Sequence, residues 1–159
     1  MNVFILDYDL EWNVSYYVDK HVVKMILETT QILSTVNRLK GLEEGYKPTH
    51  IHHPCVKWAC ESSMNYLYLK QLVYHIINEW RYRFNHSKYE SHKCEYVLMT
   101  LSMPEFDSDY MTEPPQCIPS YCKVPNNVVA GYRNYYIYEK QKIAKWTGRE
   151  IPSWYVMKK

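Results

Sequence analysis

The segment Asp19-Lys20-His21-Val22-Val23-Lys24-Met25-Ile26-Leu27-Glu28-Thr29-Thr30-Gln31 gathers an imidazole, two ammonium groups, two carboxylates and an amide. These are the groups from which acid–base and electrostatic catalysis is built. At about 100° per residue, His21, Lys24, Glu28, Gln31 and Thr35 share a helical arc of about 80°, with Lys20 and Arg38 at its edge. Val22, Val23, Met25, Ile26, Leu27, Ile32, Leu33 and Val36 cover most of the remaining circumference. A surface helix shows the opposite proportions, a wide polar face and a narrower apolar stripe. Half-buried charges are costly unless paired. Such a stripe is therefore either a solvated strip, with Lys24–Glu28 as an i,i+4 pair worth a few tenths of a kcal/mol, or the wall of a polar cleft. We read a cleft, with His21 and Glu28 as catalytic groups and Lys20, Lys24 and Gln31 as ligand contacts.

A second cluster, Lys47-Pro48-Thr49-His50-Ile51-His52-His53-Pro54-Cys55 followed by Cys60, places imidazoles beside thiols, the usual ligands of zinc. It lacks a C-x2-C pair and fits no common structural-zinc pattern, so no metal is expected. The C-x4-C pair Cys117 and Cys122 lies in a proline-rich segment and could supply further ligands. His53 instead suits the cap of a helix beginning at Pro54, where the positive helix N-terminus would also receive a phosphate. Asp7-Tyr8-Asp9 resembles a metal-holding D-x-D, but Asp9 serves equally as an N-cap for a helix from Leu10.

The third segment, Ala130-Gly131-Tyr132-Arg133-Asn134-Tyr135-Tyr136-Ile137-Tyr138-Glu139-Lys140, interleaves Tyr with cations, as base stacking plus phosphate contact requires. Alternatively its Tyr residues pack on a core. Charge is unevenly placed: residues 1–122 carry net −4 and residues 123–159 net +6, summing to the overall +2. The last segment thus reads as an anion-binding face, with Tyr132, Arg133, Tyr136 and Trp154 as ligand contacts.

The elements that must position these groups are mainly helical. Val3–Leu6 reads as a short buried strand or an extended arm. A long helix is expected from Leu10 to Leu39 with a break near Asp19, capped by Gly41. Another is expected from Pro54 to Phe84, a shorter one from His92 to Leu101, and a last from Asn126-Asn127 through Trp146. Residues 104–125 hold five of the 8 prolines and read as irregular. The expectation is a mainly α single domain, 1–159, of four to five helices. With 159 residues, 47% hydrophobic, 17 Tyr and only 4 Gly, the chain excludes disorder, a collagen-like or disulfide-dense scaffold and a Gly-rich phosphate loop. Five Cys, an odd number, fit a reducing cytosol. The start carries no basic n-region, and no apolar run is long enough for a bilayer, so a cytoplasmic protein without a membrane partner is expected.

Met1-Asn2-Val3-Phe4-Ile5-Leu6-Asp7, Asp19-Lys20-His21-Val22-Val23-Lys24-Met25, Glu28, Lys47-Pro48-Thr49-His50, His53-Pro54, Tyr132-Arg133-Asn134-Tyr135-Tyr136 and Pro152-Ser153-Trp154 resemble a family of small tailed-phage and large-virus proteins. More distantly, the His21-to-Glu28 spacing and Pro152-Ser153-Trp154-Tyr155 are similar to the phage pyrimidine-dimer glycosylase (endonuclease V) family. That resemblance implies a small all-α protein that excises bases in an infected host cell. An N-terminal amine would attack the sugar C1′ to form a Schiff base, and Glu28 would stabilise the developing sugar cation and shuttle protons. An α-amine, with a pKa of about 7.7–8.0, keeps a useful neutral fraction at pH 7. The chain departs from the family at Leu27 and Gln31, where the family has Arg. It departs also at Asn2, a poor residue for Met removal, so either Met1 itself is the nucleophile or the chemistry is gone while the pocket remains. No cofactor is expected, and the partner is a nucleic acid or a small nucleotide. The alternative is a phage anti-defence protein that sequesters or hydrolyses a nucleotide second messenger, such as a cyclic dinucleotide or an ADP-ribose derivative. There the stripe and the Tyr residues would grip one small ligand between protomers of a homo-oligomer. A structural interaction domain is the third class.

Overall fold

The computed structural model describes residues 2–87 and 89–156. Six α-helices run in the order α1 (Leu10–Ser15), α2 (Asp19–Leu39), α3 (Pro54–Glu61), α4 (Ser63–Arg83), α5 (Lys93–Thr100) and α6 (Val128–Glu139), with short 3-10 turns at Ser120–Cys122 and Gln141–Ile143. Among the described residues there is no strand. α2 and α4 pack against each other along the centre, α1 and α3 flank α4, and α5 lies on α2. Val22, Met25, Ile26, Leu33 and Val36 from α2 share the core with Tyr66, Leu69, Val73, Ile76 and Ile77 from α4. No described helix is long and apolar enough to cross a membrane.

Side-chain caps set most helix starts. Asp9 accepts the Trp12 N–H at 3.0 Å to begin α1, and Asn127 accepts the Ala130 N–H at 2.9 Å to begin α6. His92 and Glu95 form a reciprocal capping box on α5. Gly41, at φ +86, ends α2 in the left-handed conformation expected of it.

Two expectations change. The pattern from Leu10 to Leu39 breaks just before Asp19, as expected, but that from Pro54 to Phe84 is also two helices, so the described residues hold six helices rather than four or five. The second break is made by Ser62, extended at φ −150, ψ 157, which ends α3 while its hydroxyl accepts the Asn65 N–H to start α4. Asn65 then donates to Trp58 O at 2.8 Å and accepts from Thr112 N at 3.0 Å, which fixes the bend. The last helix stops at Glu139 rather than Trp146. Beyond it the chain turns to serve α2: Lys145 O accepts the Asp19 N–H at 2.8 Å. Trp146 Nε1 donates to Tyr16 O at 2.9 Å. Both contacts occupy groups that α1 and α2 leave open at their ends.

Val3–Leu6 is a buried arm with no strand partner. Side chains satisfy its backbone instead. Asn13 Oδ1 accepts the Leu6 N–H at 2.6 Å, Tyr17 donates to Phe4 O at 2.6 Å, and Arg133 Nε donates to Leu6 O at 2.8 Å. Pinned in this way, the arm delivers Asn2 and Phe4 to the face of α2 that carries His21 and Glu28.

Candidate active site

A cavity of about 260 Å³ opens where α2, the N-terminal arm and the end of α6 meet. His21, Lys24 and Glu28 line it from α2, Asn2 and Phe4 from the arm, and Tyr135 and Lys140 from α6 and its cap. Met25 and Cys117 complete the wall. Lys24 Nζ lies 3.0 Å from Glu28 Oε1, with the lysine side chain 65% exposed and the carboxylate 15% exposed. Lys140 Nζ stands 4.4 Å from the centre of the Tyr135 ring, a cation–π contact that leaves the ammonium at the rim.

His21 is buried, its ring stacked on Phe4 with centroids 4.2 Å apart and planes 8° from parallel. Its Nδ1 is 2.6 Å from the Tyr136 hydroxyl. Burial, reinforced by the positive charges of Lys140 and Lys24, pushes the imidazole down to about 3, so it is neutral at physiological pH. Burial holds the Tyr136 phenol well above its ordinary value. With that phenol donating to Nδ1, the ring keeps its proton on Nε2.

This places a pH dependence on stability. Unfolded His21 binds a proton below about pH 6.5, whereas the folded ring takes one only near 3. The stabilisation is complete above 6.5 and drains away as pH falls toward 3. Between pH 7 and pH 4 this group alone is expected to remove about 3 kcal/mol. His53 and His92 are also pushed down by burial and act in the same direction. The urea midpoint of wild type against His21→Gln isolates His21, because both other rings remain. Equal pH slopes in the two proteins would refute the assignment.

The remaining sequence-derived site residues are distributed differently. Lys20 is exposed and Gln31 half-buried, and neither lines the cavity. Met1 lies outside the described residues. Tyr132 and Tyr136 are fully buried, so they position other groups rather than touch a ligand. The Tyr132 hydroxyl donates to Asn2 Oδ1 at 2.7 Å and Tyr136 holds His21. Arg133 pairs with Asp7 at 3.0 Å, and its guanidinium sits 5.1 Å from the Trp154 ring centre. It clamps the arm instead of lining the cavity. Arg149 is likewise spent on Glu79 at 2.7 Å, so two cations of the basic segment neutralise acids from earlier in the chain. His53 Nδ1 accepts the Cys55 N–H at 3.1 Å, the expected helix cap. It lines an open groove of about 830 Å³ formed with the proline-rich segment, where the Glu28 charge still acts on it.

Asn2, Phe4, Cys117, Tyr135 and Lys140 were not anticipated as site residues. Tyr135 and Lys140 belong to the Tyr-and-cation segment. Helical phase turns Tyr132 and Tyr136 to the core and leaves Tyr135 for the cavity. The Cys117 thiol is lowered to about 7, chiefly by its hydrogen bond with Cys55, whose own thiol is raised by the same contact and by burial.

The family model described as pyrimidine dimer DNA glycosylase matches residues 1–90. This chain belongs to the pyrimidine dimer DNA glycosylase family. The match takes in the arm, His21, Lys24, Glu28 and His53, while Cys117, Tyr135 and Lys140 fall beyond it. Comparison with curated proteins and with solved structures gives no match. At the level of the pyrimidine dimer DNA glycosylase family, the function is DNA-repair glycosylase-like, with a nucleic acid as the partner class.

Proposed function

We propose that this protein is a DNA glycosylase with abasic-site lyase activity, working in the cavity around Glu28. The observation that carries this is the convergence of His21, Lys24 and Glu28 with Asn2 and Lys140 on one small cavity, in a chain of this family. At about 260 Å³ the cavity is smaller than the roughly 300–1,000 Å³ of sites for drug-sized ligands, which suits one sugar better than a whole dinucleotide. Lys24 and Lys140 at the rim supply positive charge for flanking phosphates. The Glu28 carboxylate faces positive charge developing on the sugar, an electrostatic role that gains strength where water is excluded.

The chemistry runs through an amine, assigned here to the α-amine of Met1. Its nitrogen bonds to C1′ as the base departs with the glycosidic electron pair and takes up a proton. The sugar ring then opens to leave an imine. Loss of a C2′ proton from that imine expels the 3′ phosphate and nicks the strand. Glu28 is the group placed to move those protons.

Borohydride reduces such an imine to a stable amine. Incubation of the protein with a labelled duplex containing one abasic site, in borohydride, is expected to give a protein–DNA adduct that survives denaturation. Absence of an adduct with both abasic and dimer-containing duplexes would overturn the proposal. A thermal shift produced by a cyclic dinucleotide but not by duplex DNA would move the assignment to a messenger-binding protein.

A further inference from the structure

The sequence cluster around His50–Cys60 has no zinc spacing of its own, but the fold supplies a missing partner. Cys117, from the proline-rich segment 62 positions beyond Cys55, is carried back against the start of α3. One ligand atom from each of His53, Cys55 and Cys117 lies within 4.8 Å of the others. The two sulfurs are 3.7 Å apart. A tetrahedral ion with metal–sulfur bonds of about 2.3 Å holds two sulfurs roughly 3.8 Å apart, so the pair already stands at the edge length of such a site. The separation is far beyond the roughly 2.05 Å of a disulfide, and all five cysteines are free thiols.

The surroundings favour a preformed site. Cys55 is buried, while His53 and Cys117 are half-buried and both line the open groove, which gives an ion a route in. His53 Nδ1 accepts the Cys55 N–H, so the ring takes an ion either by yielding that lone pair or by releasing its Nε2 proton. The Cys117 backbone is held by an N–H donated to the Tyr132 hydroxyl at 3.2 Å and by the Asn2 amide donating to its carbonyl at 3.0 Å. Two thiols and one imidazole select a borderline or soft ion, since magnesium and calcium require oxygen ligands.

We propose that His53, Cys55 and Cys117 bind a zinc-class divalent ion, with a fourth coordination position open toward the groove. The ion would tie three separate pieces of chain together: the start of α3, the proline-rich segment and, through Asn2, the N-terminal arm. Because Cys117 also lines the Glu28 cavity, the same ion would fix one wall of the candidate active site. The proposal goes beyond the glycosylase assignment and does not depend on it.

Cobalt(II) reports on such a site without any enzymatic assay. The full-length protein, stripped with a chelator and kept reduced, is expected to take up one equivalent of Co²⁺ with a thiolate charge-transfer band, and to release it to Zn²⁺. Cys117→Ser should weaken uptake by about 100-fold or more, whereas Cys60→Ser should bind as wild type does. A readout on the unaltered protein guards against misfolded variants: Zn²⁺ should slow alkylation of Cys55 and Cys117 but not of Cys60. Failure to take up cobalt, unchanged binding by a folded Cys117→Ser, or equal alkylation with and without zinc would each overturn the proposal.

Discussion

Glu28→Gln is expected to slow strand nicking at an abasic site by roughly 10²–10⁴-fold, the range for loss of a positioned proton-transfer group. Folding should be little affected. Gln keeps the shape of Glu28 and its capacity to hydrogen-bond, and removes only the charge. The Lys24 partner is 65% exposed, so its ammonium remains hydrated when the carboxylate goes, and an i,i+4 pair of this kind contributes only a few tenths of a kcal/mol. The separate steps respond differently. Imine formation on a preformed abasic aldehyde breaks no glycosidic bond, so borohydride trapping should survive the substitution while the later proton abstraction fails. Single-turnover nicking and trapping, measured side by side on the same duplex, make the comparison. A variant that nicks at the wild-type rate would remove Glu28 from the mechanism, whatever the fate of the trapping experiment.

The part of this site carried on one helix could be read from the sequence. His21, Lys24 and Glu28 meet because 3.6-residue periodicity alone puts them on one face, and the structure finds all three on one cavity. The same periodicity misjudged what surrounds them: Val23 and Leu27, taken as buried, are 52% and 44% exposed. Lys140, Cys117 and Asn2 arrive from elsewhere in the chain, and no local pattern encodes that meeting. Arg133 shows the converse error. Its Tyr-rich context looked suited to phosphate, yet Asp7 and the Leu6 carbonyl occupy its guanidinium. Helix starts were legible where a capping side chain sits next to the helix, as at Asp9, His53 and Asn127. The end of the last helix was not, because it is decided by what the tail does for Asp19. The strand-like arm had the composition of a strand, but Asn13, Tyr17 and Arg133 meet its hydrogen-bonding needs from outside any sheet.

Loss of Arg83 should be the most destabilising single substitution among those considered. Its side chain has no exposure, and Glu79 is only 3% exposed. Arg83 Nε donates to Glu79 Oε1 at 2.6 Å. Nη1 donates to Tyr17 O at 2.6 Å and Asp19 Oδ1 at 3.2 Å, and Nη2 to Ser15 O at 2.7 Å. One guanidinium therefore satisfies carbonyls at and just beyond the end of α1, where the helix dipole favours a cation, and joins them to the first residue of α2. Burial pushes the Asp19 carboxyl up, but hydrogen bonds from Thr147 and Arg83 outweigh it and hold the group below its ordinary value. Arg83→Met fills most of the volume and leaves the Glu79 charge with Arg149 alone. It also strands the Ser15 and Tyr17 carbonyls in the interior. Removing one partner of a buried pair costs roughly 3–5 kcal/mol, against a total stability of roughly 5–15 kcal/mol for an ordinary domain. A large fall in the urea midpoint with an unchanged slope is the expected result. Glu43→Gln is the contrast. Its carboxylate, paired with Arg38, is 91% exposed, and no measurable shift is expected there. If Arg83→Met unfolded at the same urea concentration as Glu43→Gln, the join between α1 and α2 would have to rest on apolar packing around Tyr17 and Val18 instead.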